Sequence, residues 1–166
     1  MGGNGHFRVT LSLRREPNAG PVFCKQESEK RFRQCKTVKL SAQATYRLDI
    51  SFKPPQVLQG LAIGGKEVDA IEKARDGTAC AYSAYHSTKG VEVSARGQRE
   101  DLQIAMNVLG SGKLTTCLQI KYYKSGDQSH CEFGSRLHCI ELDCSSVEGR
   151  LVMVDKETYT KTGMAS

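Results

Sequence analysis

Tyr46-Arg47-Leu48-Asp49-Ile50-Ser51-Phe52-Lys53 alternates apolar and polar side chains without a break, and its reading decides the fold. Successive side chains on a strand point to opposite faces, so this stretch makes one apolar and one wetted surface, whereas a helix would scatter the same groups around its axis. The pattern recurs on both sides. Phe7, Val9, Leu11 and Leu13 interleave with Arg8, Thr10, Ser12 and Arg14. Leu102, Ile104, Met106 and Val108 alternate again, and Leu118, Ile120 and Tyr122 alternate with Gln119, Lys121 and Tyr123.

Breaks between these runs are chemically plain. Glu16-Pro17-Asn18-Ala19-Gly20-Pro21 ends the first strand, and Pro54-Pro55 removes two backbone donors after Lys53. Gly64-Gly65 sits between two short runs and predicts a hairpin with a type I′ or II′ turn. Lys73 to Gly77 reads as a charged loop and Ser94 to Asp101 as a polar, mobile one. About ten strands and no helix follow, which is an all-β, single-domain antiparallel barrel or sandwich. The expected organisation is a flexible N-terminus over 1–6, a β-barrel domain over 7–159 and a flexible tail over 160–166. The segment from Thr158 onward has little to bury and is expected to fray.

The 166 residues suffice for one core. Aromatic content is 7% with no Trp, so aliphatic side chains must fill most of it. Seven cysteines, odd in number and without a C-x-x-C pair, read as free thiols, several serving as small buried apolar groups. No run approaches the roughly 18 apolar residues of a membrane span, and the first residues lack a signal-peptide pattern, so a cytosolic location is expected.

The net charge of +6 is confined to the first 40 residues, which carry nine Lys and Arg against three Glu. The remainder holds fifteen of each sign. Such a surface attracts an acidic peptide or, more weakly, an anionic membrane. Nucleic acid is not expected, because Lys30-Arg31-Phe32-Arg33 stands beside a single aromatic and no recognition motif follows.

Chemistry-bearing motifs are incomplete. Gly110-Ser111-Gly112-Lys113 resembles a phosphate loop, but Asn107 stands where its first Gly belongs and Leu114 where Ser or Thr belongs. His130, Cys131, His138, Cys139 and Cys144 are the densest soft ligands, yet His138 and Cys139 are neighbours on a strand and must face opposite ways. No nucleophile elbow occurs. Gly2 opens a myristoylation pattern that His6 interrupts. The expectation is a monomeric protein that is not an enzyme and needs no metal or cofactor.

Pro17-Asn18-x-Gly20-Pro21-Val22-Phe23-x-Lys25, Lys39-Leu40, Lys53-Pro54, Ile63-Gly64-Gly65, Gln119-x-Lys121, His130-Cys131-x-x-Gly134-Ser135 and Val154-x-Lys156-Glu157 occur in an order that resembles the cannabinoid receptor-interacting protein 1 family. The likeness runs from about Phe7 to about Tyr159. It implies a cytoplasmic, non-enzymatic β-barrel, similar in shape to immunoglobulin-like carriers of prenyl and acyl groups. The family's role implies binding to the distal C-terminal tail of a G protein-coupled receptor, the type 1 cannabinoid receptor, with recruitment to the inner face of the plasma membrane and modulation of signalling. Family members carry tryptophans where this chain has Leu118, Phe133 and Met153, which predicts a core repacked with smaller groups.

Two sites follow. Lys25, Arg31, Arg33, Lys73 and Arg75 fall on predicted strand ends and loops and are the expected contacts for an acidic tail. The alternative function is a carrier that shields a lipidated signalling protein, with Phe23, Tyr46, Phe52, Tyr82 and Tyr122 lining a cavity; because small barrels are normally packed solid, the favoured reading is that these rings fill the core.

Overall fold

Each alternating stretch forms a strand whose apolar positions are buried. The computed structural model describes residues 5–28 and 31–161, and these form twelve strands and one short helix. In chain order they are β1 (His6–Glu16), β2 (Val22–Gln26), β3 (Lys36–Ser41), β4 (Thr45–Lys53), β5 (Leu58–Ile63), β6 (Lys66–Val68), β7 (Ile71–Arg75), β8 (Cys80–Ser87), β9 (Glu100–Val108), β10 (Gly112–Tyr123), α1 (Gln128–Cys131), β11 (Ser135–Val147) and β12 (Leu151–Lys161).

The strands run in the order β6-β5-β9-β10-β3-β2-β11-β1-β4-β8-β7. β12 pairs with both β10 and β11, so β10-β3-β2-β11-β12 closes into a ring and the core is a closed barrel with extra strands. Most ladders are antiparallel, as expected, but β10 runs parallel to both β3 and β12. Alternation alone cannot distinguish the two senses, because side chains alternate identically in both.

β4 anchors the interior. Ile50 stands opposite Leu11 of β1 and Tyr82 of β8, and Leu48, Ile50 and Phe52 are all buried. Phe52 packs against Phe7 with ring centroids 6.1 Å apart and meets Tyr82 edge-on at 6.0 Å. Such edge and tilted contacts let the aromatic quadrupoles attract as well as bury area. Leu114, Leu118 and Ile120 of β10 complete the wall. Gly64 and Gly65 both have positive φ, 62° and 82°, which is the backbone of a type I′ turn joining β5 to β6.

All seven cysteines are free, and Cys24, Cys80, Cys131, Cys139 and Cys144 are buried. Burial pushes the Cys131 thiol up to about 11 and the Cys144 thiol up to about 12, so both remain protonated at neutral pH and pack as apolar groups. His138 is exposed while Cys139 is buried, the opposite orientations expected of strand neighbours.

Several expectations need correction. Lys73 and Arg75 lie within β7 and not in a loop; a register shift between Glu72 and Ala74 breaks the alternation, and all five residues of this edge strand are exposed. Thr158 to Lys161 do not fray, because they pair along β11 with Lys161 opposite Leu137. The rest of the expected tail, 162–166, lies outside the described residues. At the other end His6 already belongs to β1, and residues 1–4 lie outside the described residues. Glu100 and Asp101 belong to β9, and not to the expected mobile loop. Of the three positions read as core replacements for tryptophan, only Leu118 is interior; Phe133 and Met153 are exposed.

Ile50→Asp places an unpaired carboxylate in the hydrophobic core and is expected to cost several kcal/mol, leaving the protein insoluble. Ile50→Val, which removes one methylene, is expected to stay soluble and lose about 1 kcal/mol in a urea titration.

Candidate functional site

Three neighbouring strands, β2, β3 and β10, present one outer face that is polar yet largely covered. On β3, Lys39 stands opposite Phe23 of β2 and Lys121 of β10, so these side chains share that face. Lys25 follows Phe23 by two residues and Tyr123 follows Lys121 by two, which places both on the same side. β3 is buried at five of its six positions, because connecting segments cover its outer face while the barrel covers the inner one.

The segment from Asp127 to Gly134 folds over Lys39. Asp127 caps α1 by accepting the His130 N–H at 3.1 Å, and hydrogen bonding to that N–H holds the Asp127 carboxyl below its usual range. The cap orients the His130 and Phe133 carbonyls, which accept from Lys39 Nζ at 3.0 and 2.6 Å. The Tyr123 and Phe133 rings lie 5.7 and 5.6 Å from the same ammonium. On the opposite side Ser94 bonds β10 through the Tyr122 backbone.

Between these walls lies a cleft of about 590 Å³ lined by Lys25, Lys39, Lys121, Lys124, His130 and Phe133, among others, with Asp127 the one acid among the described lining residues. Burial pushes the Lys39 ammonium down, and the charge of Lys25 pushes it further. Lys121 is lowered in the same way by burial and then by Arg99 and Lys25. Crowded ammonium groups, with the one acid among the described lining residues already engaged by α1, make the cleft electrostatically suited to a carboxylate, which would relieve the repulsion.

The cleft is braced by a buried ion pair. Glu27 Oε2 accepts from Arg99 Nε at 2.8 Å and from Thr37 Oγ1 at 2.5 Å, with side-chain exposures of only 1% for Glu27 and 6% for Arg99. Burial alone would raise the Glu27 carboxyl, but the bonds from Arg99 and Thr37 override it and hold the carboxyl below its usual value. Arg99 also lies 4.4 Å over the Phe32 ring and Arg31 5.1 Å from it.

The expected contact residues separate in space. Lys25 lines the cleft, whereas Arg31 is not among its lining residues and stacks on Phe32. Arg33 pairs with Asp101 at 3.2 Å and lies outside the cleft, beside Lys36 and Tyr159. Lys73 and Arg75 lie on β7, at the far end of the strand order from β6; Arg75 is held by Glu72, the Gln56 carbonyl and the Tyr82 hydroxyl. Among the rings expected to line a cavity, Tyr46, Phe52, Tyr82 and Tyr122 are buried, and Phe23 is half-buried. Tyr46 Oη accepts the Ser41 N–H at 2.7 Å, and Phe52 fills the space between Phe7 and Tyr82. Tyr122 alone of the five borders the open cleft.

Lys39, Lys121, Lys124, Tyr123 and Phe133 were missed as site residues. Lys121 and Lys124 lie in the charge-neutral remainder of the chain, and Lys39 is one of nine basic residues in the first 40 with nothing local to set it apart from the others. The parallel pairing of β3 with β10 brings them together, and its signal lies in neither segment alone.

A family model described as CB1 cannabinoid receptor-interacting protein 1 matches residues 3–159. Curated relatives of the same name from Bos taurus, Rattus norvegicus and Homo sapiens are each 34% identical over 159 residues, covering 93% of this chain and 96% of theirs.

Glu27→Ala strands Arg99 in the interior and is expected to cost roughly 3 kcal/mol at neutral pH, with a smaller loss in the Glu27→Ala/Arg99→Met double variant. Because the folded carboxyl titrates below its usual 4.5, the stabilisation is full above that value and is lost as the pH falls through the lower folded one. Denaturant titrations from about pH 6 down to about pH 3 should therefore show a loss in the wild type that Glu27→Gln lacks.

Proposed function

This chain belongs to the CB1 cannabinoid receptor-interacting protein 1 family, and on that premise we propose that it is a non-enzymatic adaptor that holds the acidic distal cytoplasmic tail of a G protein-coupled receptor in the lysine cleft. The observation that carries this reading is the convergence of Lys25, Lys39, Lys121 and Lys124 around one opening with aromatic walls. A flexible tail meets three needs there. Its carboxylates form charge-assisted bonds with the ammonium groups, its apolar side chains rest on Tyr123 and Phe133, and its approach is steered by the rim charges.

Each lysine has its own part. Lys39 is immobilised by two carbonyls before any ligand arrives, so little side-chain entropy is lost when it engages a carboxylate. Lys25 and Lys124 are exposed and raise the encounter rate. Binding the tail recruits the protein to the inner face of the plasma membrane and covers the tail against other partners, which is how a protein without chemistry of its own modulates signalling.

A labelled acidic receptor-tail peptide titrated against the protein tests this reading. Lys39→Met and Lys121→Glu are each expected to weaken binding by about tenfold, whereas Lys73→Glu on β7 leaves it unchanged. Affinity should also fall as salt rises from about 0.02 to about 0.15 M. Equal loss from Lys73→Glu, or tight salt-insensitive binding of a farnesylated peptide with none of the acidic one, would overturn it in favour of another surface or of the lipid-carrier role.

A further inference from the structure

The turn with the incomplete phosphate-loop pattern, Gly110-Ser111-Gly112-Lys113, belongs to a different feature. It joins β9 to β10 and is stitched to the β11–β12 turn. Ser146 Oγ donates to the Ser111 carbonyl at 2.6 Å, Lys113 N–H donates to the Arg150 carbonyl at 3.1 Å, and Lys113 stands opposite Leu151 in the short parallel ladder. Gly112, at φ 114°, permits this approach, since a Cβ there would collide with the Arg150 carbonyl. The segment before β5 joins the same end, with Leu109 N–H bonded to the Val57 carbonyl at 2.9 Å.

This end of the barrel is unusually apolar. Nine large hydrophobic side chains are exposed among the described residues, and five of them, Val57, Leu109, Val147, Leu151 and Met153, lie on these three stitched segments. Ser146 and Val152 turn inward, so their neighbours Val147, Leu151 and Met153 necessarily face out. Lys113 and Arg150 are exposed at the same level, with Glu148 the one acid in the β11–β12 turn. The cleft adjoins the other end of β10, with Lys121 eight residues beyond Lys113 and so about 26 Å away at roughly 3.3 Å per residue.

We propose that this tip is a membrane-contact site that inserts shallowly into an anionic phospholipid surface. The chemistry favours lipid over a second copy of the chain. The flanking Lys113 and Arg150 are exposed beside Val147, Leu151 and Met153 and match anionic headgroups while their stems lie along the apolar layer, whereas a second copy would bring these cations against their own like charges. The tip works independently of the cleft. Its distance leaves the cleft open to a tail approaching from the aqueous side while the tip touches the bilayer.

Co-sedimentation of the full chain with phosphatidylcholine vesicles, with and without phosphatidylserine, is the test. The wild type is expected to pellet with the anionic vesicles and to lose roughly tenfold in partitioning without phosphatidylserine. Leu109→Glu/Leu151→Glu should abolish pelleting, and Lys113→Glu/Arg150→Glu should reduce it, each with an unchanged melting temperature. Should the leucine pair unfold the protein, the exposed charge pair alone decides. Lys39→Met should pellet like the wild type, which separates this claim from the receptor-tail reading. Failure of the wild type to bind, wild-type binding by the charge-reversed variant, or a concentration-dependent dimer dispersed by the leucine substitutions would overturn the proposal.

Discussion

A lysine ammonium drawn down onto the face of a sheet must find acceptors, and the account of this protein rests on how Lys39 finds them. Stripping water from an ammonium is expensive unless carbonyls replace it. The His130 and Phe133 carbonyls do so, and only because the chain between β10 and β11 crosses β3 with α1 capped by Asp127. The same requirement fixes the cleft wall. Without it the segment from Asp127 to Gly134 would have little reason to lie over strands whose outward residues are Lys25, Lys39 and Lys121.

β10 ties the two ends of the molecule together. Its C-terminal half pairs in parallel with β3 and contributes Lys121 and Tyr123 to the cleft, while its first residues pair with β12 and build the apolar tip. These two parallel ladders complete the ring that closes the barrel. A closed ring has no exposed backbone edge of its own, so the paired strands hold their functional side chains on rigid elements, with turns and connections supplying the variable parts.

Much of this was legible from residues alone. Alternation located β1, β4, β9 and β10, the Gly64-Gly65 pair located a turn, and the odd cysteines read correctly as free thiols, since each signal is local. The remainder depends on distant partners. β7 has no alternation because its register shifts beside Glu72, and the end of β12 looks like a polar tail until β11 pairs with it. The site was half legible. Lys25, which lines the cleft, lies in the excess of charge of the first 40 residues, whereas Lys121 and Lys124 sit in a segment of balanced charge and join the cleft only through pairing. Lys39 belongs to the same basic excess but is not singled out within it, because nothing in its own strand announces the carbonyls above it.

The most direct test is an amide NMR titration of uniformly ¹⁵N-labelled full-length protein with an unlabelled acidic receptor-tail peptide. The account predicts shift changes concentrated at Lys25, Lys39, Lys121, Tyr123 and Gly134, saturating together with one affinity. Changes centred instead on the β7 edge from Ile71 to Arg75, or on the backbone amides of Phe52 and Tyr82 with the cleft silent, would contradict it.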